Sequence, residues 1–315
     1  VTKVAIIGAG AVGAAIAYAA QIRGVCRQLA LYDLDAQKVR AEVLDLNHGL
    51  QFTPTAQITG GDDLEVCRGA DVVVLTAGAK QHPGQTRLDL AAANVEMCRT
   101  LVPRLVDLAP DAHVLVVTNP VDVVTGAALR FSGLPANRVF GSGTVLDSSR
   151  LRFLVARHTG VAVQNVHAYI AGEHGDSEVP LWSTATIAGI PVTTWSGGPD
   201  GPGARLDPAT RTAIHERVVA AAYEIIAGKG ATSLAIGLAV SRILEALLND
   251  ENRVLPVSSL LDDVHGVRGV CLSMPSVVGR GGVERVLPTP LDDAERSALR
   301  ASASAVAGVA RDLGL

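Results

Sequence analysis

The sequence predicts an α/β fold: a doubly wound parallel sheet over residues 1–143, followed by a mixed α+β domain over 144–315. Three observations carry that expectation. Apolar strand-like runs and helical patterns alternate through the first 143 residues. A Gly-x-Gly-x-x-Gly loop, Gly8 to Gly13, stands between the first apolar run and an Ala-rich helix. An acid, Asp33, closes the second apolar run twenty residues after Gly13.

The strands expected in the first half lie at 3–8, 28–33, 56–59, 71–77, 113–118 and 138–141, each a short aliphatic run suited to burial on both faces. Helical periodicity falls between them at 11–23, 36–47, 88–108 and 121–131. Gly24 is placed to end the first helix. Residues 78–86 differ, forming a polar loop with Pro83 and Gly84 after a central strand, where ligands of such sheets bind. From Thr144 the pattern changes to a helix at 145–157, a strand-like run at 165–171 and a polar loop at 172–178. A Gly- and Pro-rich turn at 196–208 follows, then a helical stretch from 208 to about 248 broken at Gly228-Lys229-Gly230. Two further strands near 253–260 and 267–275 and an amphipathic helix from Asp292 complete the expected order.

Strand, glycine loop, helix, strand and acid in this register form the Rossmann dinucleotide fingerprint. Gly8 permits the tight turn, Gly10 lets backbone approach a pyrophosphate, and Gly13 lets helix and strand pack closely. Phosphates would then sit on the positive end of the helix that begins near Ala11, beside Val12. A carboxylate at Asp33 accepts from both ribose hydroxyls and repels a 2′-phosphate, so NAD is expected in preference to NADP.

Composition narrows the class. The chain has 315 residues, 48% of them hydrophobic and only 3% aromatic, which describes aliphatic packing in cores large enough for two domains. A net charge of −4 offers no electrostatic case for nucleic acid or an anionic membrane. No apolar run is long enough to span a bilayer, and with the first strand so early no signal peptide is expected. Cys26, Cys67, Cys98 and Cys271 lack metal-ligand spacing and read as reduced thiols, so no metal is expected and a cytoplasmic location is.

Three separated motifs, in order, resemble the lactate/malate dehydrogenase superfamily, and its bacterial L-lactate dehydrogenases in particular. They are Thr86-Arg87-Leu88-Asp89-Leu90, Thr118-Asn119-Pro120-Val121-Asp122 and Gly172-Glu173-His174-Gly175-Asp176-Ser177. The resemblance spans essentially the whole chain and implies a C-terminal catalytic domain, hydride transfer with NAD, and a place in glycolysis and fermentation. Histidine suits the proton work, because its ordinary pKa near about 6.5 lets it give and accept a proton near neutrality. The resemblance makes His174 that acid/base, Asp147 the carboxylate that orients it, and Arg150 the clamp on a substrate carboxylate, to which a guanidinium bonds bidentately. On spacing alone, Asp147 and Arg150 are an i,i+3 pair on one helix face. Arg87 would stabilise charge on the substrate oxygen as its loop closes. Asn119 would bond substrate and cofactor, with a cis bond to Pro120. Gly78 and Ile236 would line the cofactor, and Thr232 the substrate pocket.

Substrate choice is expected to turn on Gln81. The matching position in malate dehydrogenases is an arginine that pairs with the second carboxylate of oxaloacetate. A neutral amide there leaves such a carboxylate unpaired and favours the methyl group of pyruvate. The rivals are a malate dehydrogenase, disfavoured by Gln81, and a non-catalytic NAD sensor, which would not need His174, Asp147, Arg150 and Arg87 together. Arg152 lies two residues beyond Arg150, about 200° around the helix, and must face something else. In allosteric bacterial lactate dehydrogenases the positions matching Arg152 and His167 bind fructose 1,6-bisphosphate between subunits of a homotetramer. The resemblance therefore implies that effector and that assembly here.

Gln81→Arg should move preference from pyruvate toward oxaloacetate by supplying the missing guanidinium. A ratio of kcat/KM for the two substrates that barely moves would remove Gln81 as the specificity residue.

Overall fold

A computed structural model describes residues 2–79, 86–196 and 205–315, with Arg87 described in its backbone only. Six strands form the first half: β1 (Lys3–Ile7), β2 (Gln28–Tyr32), β3 (Gln57–Gly61), β4 (Val72–Leu75), β5 (His113–Val116) and β6 (Val139–Gly141). All pair in parallel, in the spatial order β3-β2-β1-β4-β5-β6. That order reverses direction beside β1, and the crevice at the reversal is where this fold binds dinucleotides. Helices α1 (Ala11–Arg23), α2 (Ala36–His48), α3 (Arg87–Leu108) and α4 (Val121–Ser132) make the connections.

Local chemistry explains these elements. The Val72–Leu75 run is wholly buried, as a central parallel strand requires. Gly24 ends α1 in the left-handed conformation at φ 62°, accessible to glycine at little cost. Thr86 and Asp89 form a reciprocal capping box at the start of α3, so the Thr-Arg-Leu-Asp motif also specifies a helix start with Arg87 at its first position.

The second half contains α5 (Val145–Thr159), β7 (Val166–His167), β8 (Ile170–Gly172), β9 (Glu178–Pro180), β10 (Thr186–Ile187), β11 (Ile190–Pro191), α6 (Pro208–Lys229), α7 (Leu234–Leu248), β12 (Arg253–Leu261), β13 (Val270–Gly279), β14 (Gly282–Val286) and α8 (Asp293–Asp312). Most of its strands extend the first sheet. β12 pairs antiparallel with β6 through Ser258 and Gly141, and the sheet continues through β13, β8 and β9, with β14 also on β13. The single strand expected at 165–171 is two: β7 joins a small sheet with β10 and β11, and β8 joins the large one. The Ala168–Tyr169 step between them is held by Arg152, whose Nε donates to the Ala168 carbonyl.

Helices α1 and α7 pack in direct contact. A Cβ on Gly237 would stand 2.5 Å from the Ala15 carbonyl oxygen, so only glycine allows this approach. Arg23 of α1 bonds Glu245 of α7 through Nε (2.5 Å) and Nη2 (2.8 Å) and locks the pair in register. Gly237→Ala should overpack the contact and lower stability by about 1–3 kcal/mol. An unchanged urea midpoint would show that the helices separate freely.

Candidate active site

The glycine loop has the geometry of a phosphate cradle. Gly8 adopts φ 105°, and a Cβ there would meet the Ala77 backbone nitrogen at 2.8 Å. A Cβ on Gly13 would overlap the Gly8 carbonyl oxygen. Gly10 differs: an added Cβ would find only Lys38 Nζ, at 3.9 Å, so the protein's own packing does not require glycine there. The open space lies at the start of α1, which has no side-chain cap and no acid in its first turn. Uncompensated N–H groups and an open glycine fit a pyrophosphate. Asp33 stands at the end of β2, its Oδ2 accepting from the Ala9 N–H (2.7 Å) and its Oδ1 from that of Asp35 (3.1 Å). Lys38 Nζ lies 3.7 Å from the same carboxylate. Val12 and Ile236 pack on one apolar cluster, so the starts of α1 and α7 face the same side of the sheet. Thr232, half-buried, lies in the turn before α7.

Two threonines and an asparagine fix the neighbouring strand ends. Thr76 Oγ1 donates toward the carbonyls of Ile7 and Gly8, both at 2.9 Å. Thr118 Oγ1 donates to the Ala77 carbonyl (2.6 Å). Asn94 is buried in α3; its Oδ1 accepts from the Ala79 N–H (2.8 Å) and its Nδ2 donates to the Asn119 carbonyl (2.7 Å). It thus joins the segment after Gly78 to the turn at Asn119, where the peptide bond to Pro120 is cis. In the sequence Asn94 is marked only as a polar residue within the apolar pattern of α3.

The central feature is a chain of three ionisable side chains. His174 Nδ1 donates to Asp147 Oδ2 at 2.5 Å, and Arg150 Nη1 donates to Asp147 Oδ1 at 2.7 Å. The Asp147 side chain is only 3% exposed, so this pair is not a solvated helix-surface bridge. Among the described residues the other N–H groups of Arg150 find no hydrogen-bond partner. The fold sets the separation of α5 and the histidine loop. Thr144 Oγ1 donates to the Ile170 carbonyl (2.5 Å), and Ser148 Oγ accepts from the Ile170 N–H (2.8 Å). Both hydroxyls are buried, and they dock the first turn of α5 on β8. The loop then turns at Gly172 (φ 85°), and the Glu173 N–H donates to Ser302 Oγ (2.8 Å).

Burial alone would push the His174 imidazole down. The Asp147 charge and hydrogen bond, with Asp122 and Glu178 nearby, outweigh it and raise the pKa to about 9. Burial likewise pushes Asp147 up, but His174 and Arg150 outweigh it and hold the carboxyl below its ordinary range. Because Asp147 accepts from Nδ1–H, Nε2 is the ring nitrogen left for a substrate.

Arg152 and His167 lie apart from this chain. The Arg152 guanidinium stacks over the Tyr169 ring, 4.7 Å from its centroid, beside the exposed His167. Gln81, its neighbours Lys80 and His82, and the Arg87 side chain fall outside the described residues. All four cysteines are free and buried. Trp182 and Trp195 pack against the apolar cluster between α5 and α6.

The chain belongs to the lactate/malate dehydrogenase family. Residues 2–141 match the family's NAD-binding domain and residues 144–308 its α/β C-terminal domain, so the cofactor is NAD. Within that family it is similar to bacterial proteins named L-lactate dehydrogenase. It is 54% identical to that of Bifidobacterium animalis subsp. lactis, over 99% of this chain and 97% of the relative. It is 51% identical to that of a Synechococcus strain, over 96% of each. Among solved structures, a lactate dehydrogenase from a deep-sea metagenome superposes with a TM-score of 0.95 at 38% identity, covering 100% of this chain and 99% of that one. The minor L-lactate dehydrogenase of Enterococcus mundtii, in its ligand-bound form, gives 0.94 at 38% identity, covering 99% and 98%.

The His174–Asp147 pair has a stability signature. A histidine raised from 6.5 to about 9 contributes stability that is complete below pH 6.5 and lost as pH rises through 9. The lowered Asp147 contributes above its ordinary 3.8 and loses that as the solution is acidified below it. The urea-midpoint gap between wild type and His174→Asn should therefore shrink from pH 6.5 to 9. A gap constant across that window would contradict the pairing.

Proposed function

We propose that the protein is an NAD-dependent L-lactate dehydrogenase that interconverts pyruvate and L-lactate, with His174 as acid/base: pyruvate + NADH + H⁺ ⇌ L-lactate + NAD⁺. The observation that carries this reading is the buried His174–Asp147–Arg150 chain, with a guanidinium and an imidazole sharing one carboxylate. On this reading a carboxylate-binding group and a proton donor share one anchor, as a 2-keto acid requires. The sequence relatives support the substrate.

On this reading residues 1–143 bind the cofactor and residues 144–315 carry most of the substrate site. Gly8, Gly10 and Gly13 with the start of α1 hold the pyrophosphate, and Asp33 takes the ribose hydroxyls. Val12, Gly78, Asn119 and Ile236 line the remainder of the cofactor site. Bound NADH supplies the hydride for the substrate carbonyl carbon. Arg150 orients the substrate through its carboxylate, with Thr232 on the pocket wall, and the neutral Gln81 favours a methyl group over a second carboxylate. His174 donates its Nε2 proton to the carbonyl oxygen, while Arg87 and Asn119 stabilise the charge developing there. In the reverse direction the neutral imidazole accepts the hydroxyl proton, and Asp147 stabilises the imidazolium that forms.

Regulation and assembly extend the proposal. Arg152 and His167 would bind fructose 1,6-bisphosphate between subunits, and the effector would bias α5, which also carries Asp147 and Arg150. Exposed Tyr18 and Ile22 on α1 and Leu234 and Leu238 on the adjoining α7 support burial of this face in a homotetramer. Among the described residues no helix is long and apolar enough to cross a membrane. The free thiols suit a cytoplasmic enzyme.

NADH oxidation with pyruvate tests the reading. His174→Asn should lose roughly 10²–10⁴ of kcat while NADH affinity is nearly unchanged. A variant with near-normal kcat would remove the acid/base assignment. The bisphosphate should lower the pyruvate KM and favour the tetramer, and Arg152→Gln should lose both responses. A wild type that responds in neither way has no effector site there.

A further inference from the structure

Asp122 has no role in the reaction as described, yet its carboxylate lies behind the histidine loop. It is 3% exposed at the start of α4; its Oδ2 accepts from the His174 backbone N–H (2.8 Å) and its Oδ1 from Ser258 Oγ (2.6 Å). Both partners donate to the ionised carboxylate; a protonated one would require the Ser258 hydroxyl to turn and accept. Ser258 also lies at the β6–β12 junction, opposite Gly141. One buried anion thus ties the turn after Asn119, the strand joining the two halves and the backbone of His174.

Resting on the lactate dehydrogenase reading, we infer that Asp122 is a positioning residue for His174: it fixes the histidine's backbone and sets a second negative charge, after Asp147, beside the imidazole. Among the described residues Glu178 of β9 also acts on the imidazole, Glu173 is next in the chain, and Arg150 of α5 shares the Asp147 carboxylate. Glu178 itself faces His215 of α6 at 3.6 Å. β12 presents the uncharged Ser258 and α8 the uncharged Ser302. β13 presents Cys271, whose thiol burial pushes up to about 12, so it is neutral. Among the described residues Asp122 is the one anion besides Asp147 that bonds directly to His174. Burial pushes its carboxyl up to about 6, against the pull of Ser258 and His174, so it is ionised at neutral pH.

Asp122→Asn separates charge from shape. Its amide oxygen can accept from the His174 N–H, and its NH₂ can donate to Ser258 Oγ, whose hydroxyl turns to accept. The loop is kept and the charge is lost. For pyruvate reduction, kcat/KM falls as pH rises through the His174 pKa, because the imidazolium is the proton donor. In Asp122→Asn the midpoint of that fall should drop by about one pH unit, a roughly tenfold loss of proton affinity, with the low-pH plateau and NADH affinity retained. A midpoint at the wild-type value, whatever the plateau, overturns the inference. Should the variant not fold, the ¹³C-carboxyl titration of Asp122 in the wild type decides. An inflection near about 6 with a second at the His174 midpoint supports the inference, and a single inflection near the ordinary 3.8 overturns it. Failure of the functional reading looks different: the wild type itself then lacks pyruvate reduction, or lacks a descending limb that His174→Asn removes. The ¹³C titration still tests Asp122 in that case.

Discussion

A carboxylate with almost no access to water, Asp147, holds an imidazole on one oxygen and a guanidinium on the other. An isolated buried anion costs several kcal/mol, and removing one partner of such a pair typically costs about 3–5 kcal/mol. Asp147 is therefore held by both partners, most strongly while both are charged, and the surrounding structure keeps them in place. Thr144 and Ser148 dock α5 on β8, Gly172 turns the chain back, and Asp122 catches the His174 backbone. The proposed chemistry draws on the same arrangement, because the charge that makes the buried anion affordable is also the proton to be donated.

The cofactor half and the histidine half are joined by a sheet and not merely packed together. β6 runs directly into β12 in space, so the carboxyl ends of β1, β2, β4 and β5 and the loop after β8 belong to one twisted frame. Hydroxyls act as the fasteners: half-buried Thr76 and buried Thr118 across the first strands, and buried Ser258 at the junction and Ser302 beneath Glu173. Each satisfies a polar group that would otherwise be costly to bury.

Much of this frame is legible in the sequence. The strands at β1, β2 and β5 and the helices α1, α2 and α4 follow from aliphatic runs and helical periodicity, and the glycine loop announces its own turn. Short or irregular pieces are less legible. β14, with Glu284 and Arg285 in its run, carries little apolar signal, and the division of 165–171 into β7 and β8 depends on an arginine from another helix. The junction of β6 with β12 depends on pairing between residues over a hundred positions apart, which no local pattern encodes. Asp122 and Asn94 were missed for the same reason: their partners lie 52 and 136 positions away in one case, 15 and 25 in the other. Gln81, on which the expected substrate choice turns, lies outside the described residues.

Buried Asp147 keeps His174 protonated through neutral pH. Titrating the His174 imidazole by NMR, in wild type and Asp147→Asn without added ligands, tests this most directly. The wild-type pKa should be about 9 and fall to the ordinary 6.5 or below once the carboxylate becomes an amide. A wild-type imidazole that titrates at or below 6.5, or one that Asp147→Asn leaves unmoved, would contradict it.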